Sequence, residues 1–570
     1  MKQTFRRAAP SLAGLTIGLA VFLLVYGPVP LDPTRDDWLL GGYIETDLLQ
    51  HYAAWLAIKN QGLGWPLTFT TGLNWPAGAA AALADCIPLL AVPFGLLRGL
   101  LPGTFQYFGL FVCGSLMLQG EAAVRLLRLF TKRMEWVLGG AVIFCLSPIL
   151  LERAFRHTAL CAHWLILYAL WLYFKSAEEG LSLRRAAGFA ALAALAASIH
   201  LYFVPMVLAI AFAAGLRALV CTRRWQPFAL AAGGGSLAAL AVAWALGFFT
   251  VSVSADGGYG TFGMNLNALW NPVSLDWNWW VPGCGQLHWS RVLPIRPLVA
   301  NSLDSFNYLG LGLLAALAGC ALAAAWLLAR RRAQAKALAK QALSHWPLAL
   351  VCCALTAFAV SNVVTANSRI LFTLPLPQWL TALCGVFRAS GRMFWPVWYL
   401  VAALALAALA KLPRRRLAAA ALAAVLALQV FDLSGALAQK REWFAEPALR
   451  TAAPAPTEEE LTLLEDCDTF YTLEVCTDRG LAVALGRAGL ATNISLLARG
   501  DDSALAAGIE TVRAALEAGE SEPLGEGVAF YTTDEAFADA ASAASGLRKT
   551  PFYQGWALLA PLKRPAWKSF

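Results

Sequence analysis

The chain has 570 residues, of which 59% are hydrophobic and 14% charged. A soluble domain carries about 25% charged residues, so a purely soluble protein is excluded. The net charge of +9 needs no nucleic-acid partner, because the basic residues lie between apolar runs, and the twelve scattered Cys form no CxxC pair of a zinc or haem site.

Runs of about 18 or more apolar residues read as membrane spans. The start, MKQTFRR, leads into an apolar run from Leu12 to Tyr26. No small-residue cleavage site follows it, so the run is expected to be a retained first span, not a cleaved signal peptide. Lys2, Arg6 and Arg7 then lie in the cytoplasm. Further spans are expected near 105–127, 136–151, 159–175, 186–199, 201–220, 228–250, 306–329, 346–362, 393–410 and 417–435, eleven in all. Every second gap is basic: Arg125, Arg128, Lys132 and Arg133; Lys175, Arg184 and Arg185; Arg217, Arg223 and Arg224; Arg330 to Arg332, Lys336 and Lys340; Lys411 and Arg414 to Arg416. The alternate gaps are longer and poorer in Lys and Arg, which fits the positive-inside rule. The segment IPLLAVPFGLLRGLL (87–101) is expected to be re-entrant or interfacial, since Pro88 and Pro93 interrupt it and a span there would invert the charge pattern.

Three outer loops follow from this topology, 28–104, 251–305 and 363–392. Trp65, Trp75, Trp270, Trp277, Trp279, Trp280 and Trp289 fall in the first two. They suit either an aromatic belt at the interface or stacking on sugars and lipid. The expected domains are a membrane domain (1–437), an Ala-Pro linker (438–457) and a soluble domain (458–570) on the non-cytoplasmic side. In the tail, strand-like runs (FYTLEV, ATNISLLA, GVAFYTT) alternate with helical ones (GLAVALGRAG, ALAAGIETVRAALEAG, EAFADAASAAS). That alternation indicates a small α/β domain. Cys467 and Cys476 enclose a short loop that a disulfide could close in an oxidising compartment.

Several constellations could carry chemistry. In YIETDLLQH, Glu45 and Asp47 form an acidic pair at the start of a helical pattern, with His51 four residues after Asp47 on the same face. Such residues could bind a divalent cation, Mg or Mn, or supply a general base. Equally, Thr46 or Asp47 could cap the helix. Asp85 is a lone acid beside an apolar run. Glu152, Arg153, Arg156, His157 and His163 sit near an outer span end, where cations suit an anionic headgroup or snorkel. Arg388 and Arg392 are spaced by one helical turn, so two guanidiniums could meet one phosphate. Asn265, Asn271, Asp304 and Asn307 offer hydroxyl recognition, or serve the loop's own folding.

FQYFGL with LQG, RHTALCAHWLILYALWLYF, FNYLGLG and FRASGRMFWP resemble an uncharacterised family of bacterial multi-pass proteins over roughly residues 30–435. More loosely, the layout is similar to GT-C glycosyltransferases, although the chain has no WWDYG motif. The resemblance implies an α-helical polytopic membrane fold and a polyprenyl-phosphate sugar donor. The acceptor would be a glycan, lipid or protein, with a first-loop base that by position falls on Asp47. A non-catalytic envelope-polysaccharide assembly protein and a lipid or sugar transporter are the alternatives.

Overall fold

The computed structural model describes residues 2–40, 46–250, 258–274, 287–302, 304–446, 454–497 and 502–560. Among them, eight helices are long and apolar enough to cross a membrane: Phe108–Phe130, Met134–Leu151, Thr158–Glu179, Phe203–Thr222, Gln226–Ala245, Leu311–Arg330, Ser390–Ala410 and Arg415–Ala445. A ninth is added if the pair Arg332–Leu343 and Trp346–Val360, bent by 72°, makes one crossing. Helices also occupy the other two positions expected to span, but their apolar lengths, Ala9–Val25 and Leu183–Ala197, are shorter. The protein is thus a membrane protein of many helices. The segment around Pro88–Leu96 is a nine-residue helix, roughly 14 Å long, which is under half of a hydrocarbon core.

The chain divides into two compact units, one of residues 1–38, 107–242 and 255–450, the other of 39–106, 243–254 and 451–570. In the first, small residues let helix backbones touch. A Cβ at Gly18 would lie 2.1 Å from the Leu116 carbonyl oxygen, and one at Gly312 would lie 2.2 Å from that of Val425. Close approach of this kind suits membranes, where packing rather than hydrophobic burial joins helices. Leu311–Arg330 and Gln226–Ala245 instead expose most of their surface, including Trp244, Leu322 and Trp326, as lipid-facing helices do.

The basic turns gather at shared helix ends within this unit. Arg133 donates to the Leu412 carbonyl at 3.1 Å, and Arg217 donates to the carbonyls of Ser344 at 3.0 Å and Ala177 at 3.5 Å. Three of the alternate gaps within this unit, around Arg153, Asp304 and Arg392, meet each other as described below.

In the second unit the tail forms a five-stranded sheet. Its order is Arg548–Phe552, Gly555–Leu559, Val528–Thr532, Thr469–Thr472, Ala491–Thr492. The last three run parallel and the first two are antiparallel additions. Helices Arg479–Arg487, Asp502–Glu517 and Glu535–Ser545 connect the parallel strands and the antiparallel hairpin, so the α/β alternation is present. Tail and first loop share a backbone pairing: Trp75 N donates to Thr492 O at 3.0 Å and Thr492 N donates to Gly72 O at 3.3 Å. Cys467 and Cys476 are free thiols.

Candidate functional site

The chain turns sharply after the helix Met134–Leu151. Phe155 takes a positive φ of 62°, rare for a bulky residue. The turn delivers Arg153, Arg156 and His157 before the next helix. Asp304 lies just ahead of Leu311–Arg330, and Arg392 lies on the short 3-10 turn Ser390–Phe394. Gly391 permits the contact between them: a Cβ there would sit 3.3 Å from the carbonyl oxygens of both Asp304 and Phe262.

Asp304 is clamped between two guanidiniums. Arg153 Nη2 donates to Oδ1 at 2.5 Å, while Arg392 Nε donates to Oδ2 at 2.8 Å with Nη2 at 2.6 Å. All three residues are buried. Burial, the largest influence, pushes the Asp304 pKa up, yet Arg153 and Arg392 together hold it below the usual carboxylate range. Burial likewise lowers the Arg153 pKa, against the pull of Asp304. His157 Nδ1 lies 3.4 Å from Arg153 Nη1. Glu152 pairs with Arg156 and accepts from Trp289 Nε1 at 3.0 Å. Arg388 does not share Asp304. It is exposed, with its guanidinium over the Phe262 ring at 5.9 Å. Arg388 and Arg392 are therefore not two forks from one helical turn, because the helix ends at Gly385 and the 3-10 turn begins only at Ser390. Among the described residues of this corner, Arg153, Arg156 and Arg392 pair with Asp304 and Glu152, while Arg388 stays exposed. The buried Asn307 Oδ1 and Thr158 Oγ1 have no hydrogen-bond partner there.

His163 lies deeper among the helices. Its Nδ1 is 2.9 Å from Tyr399 Oη, which is 3.0 Å from Ser147 Oγ, and its Nε2 is buried without a hydrogen-bond partner among the described residues. Asn271 is a structural clamp: its side-chain amide donates to Arg296 O at 2.8 Å and accepts from Arg296 N at 3.0 Å. Asn265 similarly ties the loop, donating to Asn367 O at 2.9 Å and accepting from Asn367 N at 3.0 Å. Trp277, Trp279 and Trp280 lie outside the described residues. Trp289 is fully buried, whereas Trp65 and Trp270 are exposed.

In the second unit, Glu45 is outside the described residues, and the helix Thr46–Gln61 carries Asp47 and His51 to different partners. Asp47 Oδ1 meets Arg479 Nη1 of the tail at 3.0 Å. The buried His51 Nε2 lies 3.7 Å from Asp85 Oδ2. Asp85 itself adopts the left-handed region, φ 56° and ψ 37°, and Ile87 does so too, at φ 55°. A β-branched residue there is a genuine outlier, and such strain persists only where the surroundings enforce it. Among the described residues, no three His, Cys, Asp or Glu gather into a metal-holding group.

Two features escaped the sequence reading. Asp432 is fully buried within Arg415–Ala445, accepting from Tyr308 Oη at 2.6 Å and Leu311 N at 2.9 Å, and from Ser290 Oγ. Its signal was plain, an acid inside an apolar span. Arg479 had none, since its value depends on the partner that folding brings to it.

A family model described as a domain of unknown function (DUF6311) matches residues 15–434, and the chain belongs to that family. Curated proteins show no match to the chain.

Proposed function

We propose that this protein is a GT-C-like inverting glycosyltransferase of a bacterial inner membrane. In this reading it crosses the membrane eleven times, with a cytoplasmic N-terminus and a periplasmic tail domain. It takes sugar from a polyprenyl-phosphate donor and modifies a cell-envelope glycan, lipid or protein. The observation that carries the reading is the exposed guanidinium of Arg388 over Phe262, four residues ahead of Arg392 in the buried Arg153–Asp304–Arg392 group. The Arg388 guanidinium has no ion pair among the described residues, and a phosphate would supply one. Arg388 offers the fork that Asp304 leaves uncommitted.

In the proposed reaction a first-loop carboxylate, Asp47 or Asp85, takes the proton from an acceptor hydroxyl. The oxygen attacks the anomeric carbon, and the bond from that carbon to the phosphate oxygen breaks. The lipid phosphate leaves with the electron pair and the arginines stabilise its charge. His51 would orient Asp85. Arg153, Arg156, His157, Asp304 and Arg392 would shape the phosphate corner. A divalent cation on Glu45 and Asp47 is the alternative role for that pair.

The test is binding of polyprenyl phosphate to the purified chain, followed by transfer of labelled sugar from the loaded donor. Arg388→Ala should weaken binding, and Arg388→Lys should recover part of it, because a point charge lacks the fork. Unchanged binding in Arg388→Ala would remove the donor site from this corner. A lipid or sugar transporter is the second reading, favoured by the 72° helix break and the His163–Tyr399–Ser147 line inside the bundle, since transporters bind at broken helices. Movement of a lipid-linked sugar across vesicles without its consumption would select it.

A further inference from the structure

The third long loop, 363–392, carries its own secondary structure. It holds a β-hairpin, Val363–Ala366 paired with Arg369–Thr373, followed by a short helix, Gln378–Gly385. The strand Arg369–Thr373 is exposed at every position, on both faces. Ile370, Leu371, Phe372 and Leu374 are each about half exposed, and Trp379 and Leu383 of the helix are 68% and 62% exposed.

An apolar edge strand of this kind would be an aggregation site in water. Deep in hydrocarbon its unpaired backbone groups would be equally costly. It suits the boundary between headgroups and lipid tails. The hairpin is not a loose flap, because Leu266 N donates to Thr365 O at 3.0 Å and Asn367 N donates to Asn265 Oδ1 at 3.0 Å. That same segment, 262–267, carries Phe262 beneath Arg388. Leu383 and Val386, both exposed, precede the exposed Arg388 by only a few residues along the chain.

We infer that this hairpin and helix form a platform for the isoprenoid chain of a lipid phosphate whose headgroup meets Arg388. The inference rests on the lipid-phosphate reading above and adds chain recognition to it. A polyprenyl chain is argued over bulk lipid because the exposed apolar residues are followed in the chain by an exposed cation, Arg388, which has no ion pair among the described residues. An amphiphile with an anionic head complements both parts.

The experiment compares two probes on the full chain in nanodiscs: a long-chain polyprenyl monophosphate, and geranyl phosphate with the same head on a short tail. The triple variant Ile370→Ser, Phe372→Ser, Trp379→Ser should bind the long probe about tenfold or more weakly, given the apolar area lost, and geranyl phosphate as before. Arg388→Ala should weaken both. If the triple variant binds both probes like the unaltered chain, the platform is overturned while the lipid-phosphate reading stands. If the unaltered chain binds neither, that reading falls and the platform with it. A photoreactive residue replacing Leu371 or Leu383 provides a check in a folded protein. Its crosslink to the long probe should be competed by polyprenyl phosphate but not by phosphatidylcholine. Equal competition by both would mark a plain bilayer contact and overturn the inference.

Discussion

Asp304 and Asp47 both meet arginine, yet the two pairs differ in the property that decides their worth. Asp304 is buried between two guanidiniums, with side-chain exposure of 6%. The Asp47 side chain keeps 32% exposure and its partner Arg479 keeps 29%. Burying charges costs several kcal/mol per ion, and attraction repays this only with good geometry and full hydrogen bonding. Exposed pairs give back little and cost little. A membrane protein could satisfy the same space with apolar side chains, so a buried Arg–Asp–Arg group is the better marker of function. A part-exposed pair costs less to break, which makes Asp47 the less structural of the two carboxylates.

The largest expected effect tests the buried member. Asp304→Asn removes the compensating charge and leaves Arg153 and Arg392 facing each other. Breaking a buried pair typically costs about 3–5 kcal/mol, so the variant should accumulate poorly and unfold at markedly lower temperature in detergent. Normal abundance would put Asp304 in the same class as Asp47. The pH dependence follows from the lowered pKa of Asp304. A depressed carboxylate stabilises above its unfolded-state value and loses that contribution as pH falls through the lower folded value. The corner should therefore survive titration down through pH ~4, the ordinary Asp range.

That prediction could not have been written from the sequence. Apolar runs and alternating basic turns marked the helices, because hydrophobic length and charge are local properties. The tail's α/β alternation was legible for the same reason. Its hairpin Arg548–Phe552 with Gly555–Leu559 was missed because Tyr553, not Gly or Asn, takes the positive φ in the turn. Asp304 read as a loop acid with hydroxyl-binding potential, and only tertiary contact makes it the partner of Arg153 and Arg392. The spacing of Arg388 and Arg392 implied a helical turn, but residues 386–389 lie between two short helices. Asp47 and His51 do share a helix, yet the partners Arg479 and Asp85 come from segments far along the chain.

A second effect separates the first-loop carboxylates. Loss of a general base typically costs about 10² to 10⁴ in rate. If Asp47 is the base, Asp47→Asn should be abundant and inactive in sugar transfer while Asp85→Asn retains activity; the reverse outcome assigns the role to Asp85, strained and set against His51. Full activity in both would leave the proposed mechanism without its base. A third effect is smaller and confined to binding. Arg388→Ala should lower polyprenyl-phosphate affinity about tenfold or more, in line with a charged hydrogen bond worth ~1.5–3 kcal/mol, with no change in thermal stability because the side chain is exposed.

The smallest expected effect completes the comparison at Arg479. Exposed ion pairs are worth about 0.2–1 kcal/mol and are screened by salt. The tail is joined to the first loop by other means as well. Asn60 Nδ2 donates to Gly486 O at 2.5 Å, Gln61 Nε2 donates to Gly489 O at 3.1 Å, and the backbone pairs between Gly72, Trp75 and Thr492 do not involve Arg479. Arg479→Ala should thus shift unfolding by no more than about 1 kcal/mol, and the shift should shrink in high salt. A double-mutant cycle with Asp47→Asn isolates the pair, since the coupling term removes what each side chain does separately. Coupling near 1 kcal/mol would confirm that Asp47 is held lightly. Coupling of 3 kcal/mol or more, on the order of a buried pair, would erase the distinction between the two carboxylates and make Asp47 a structural residue.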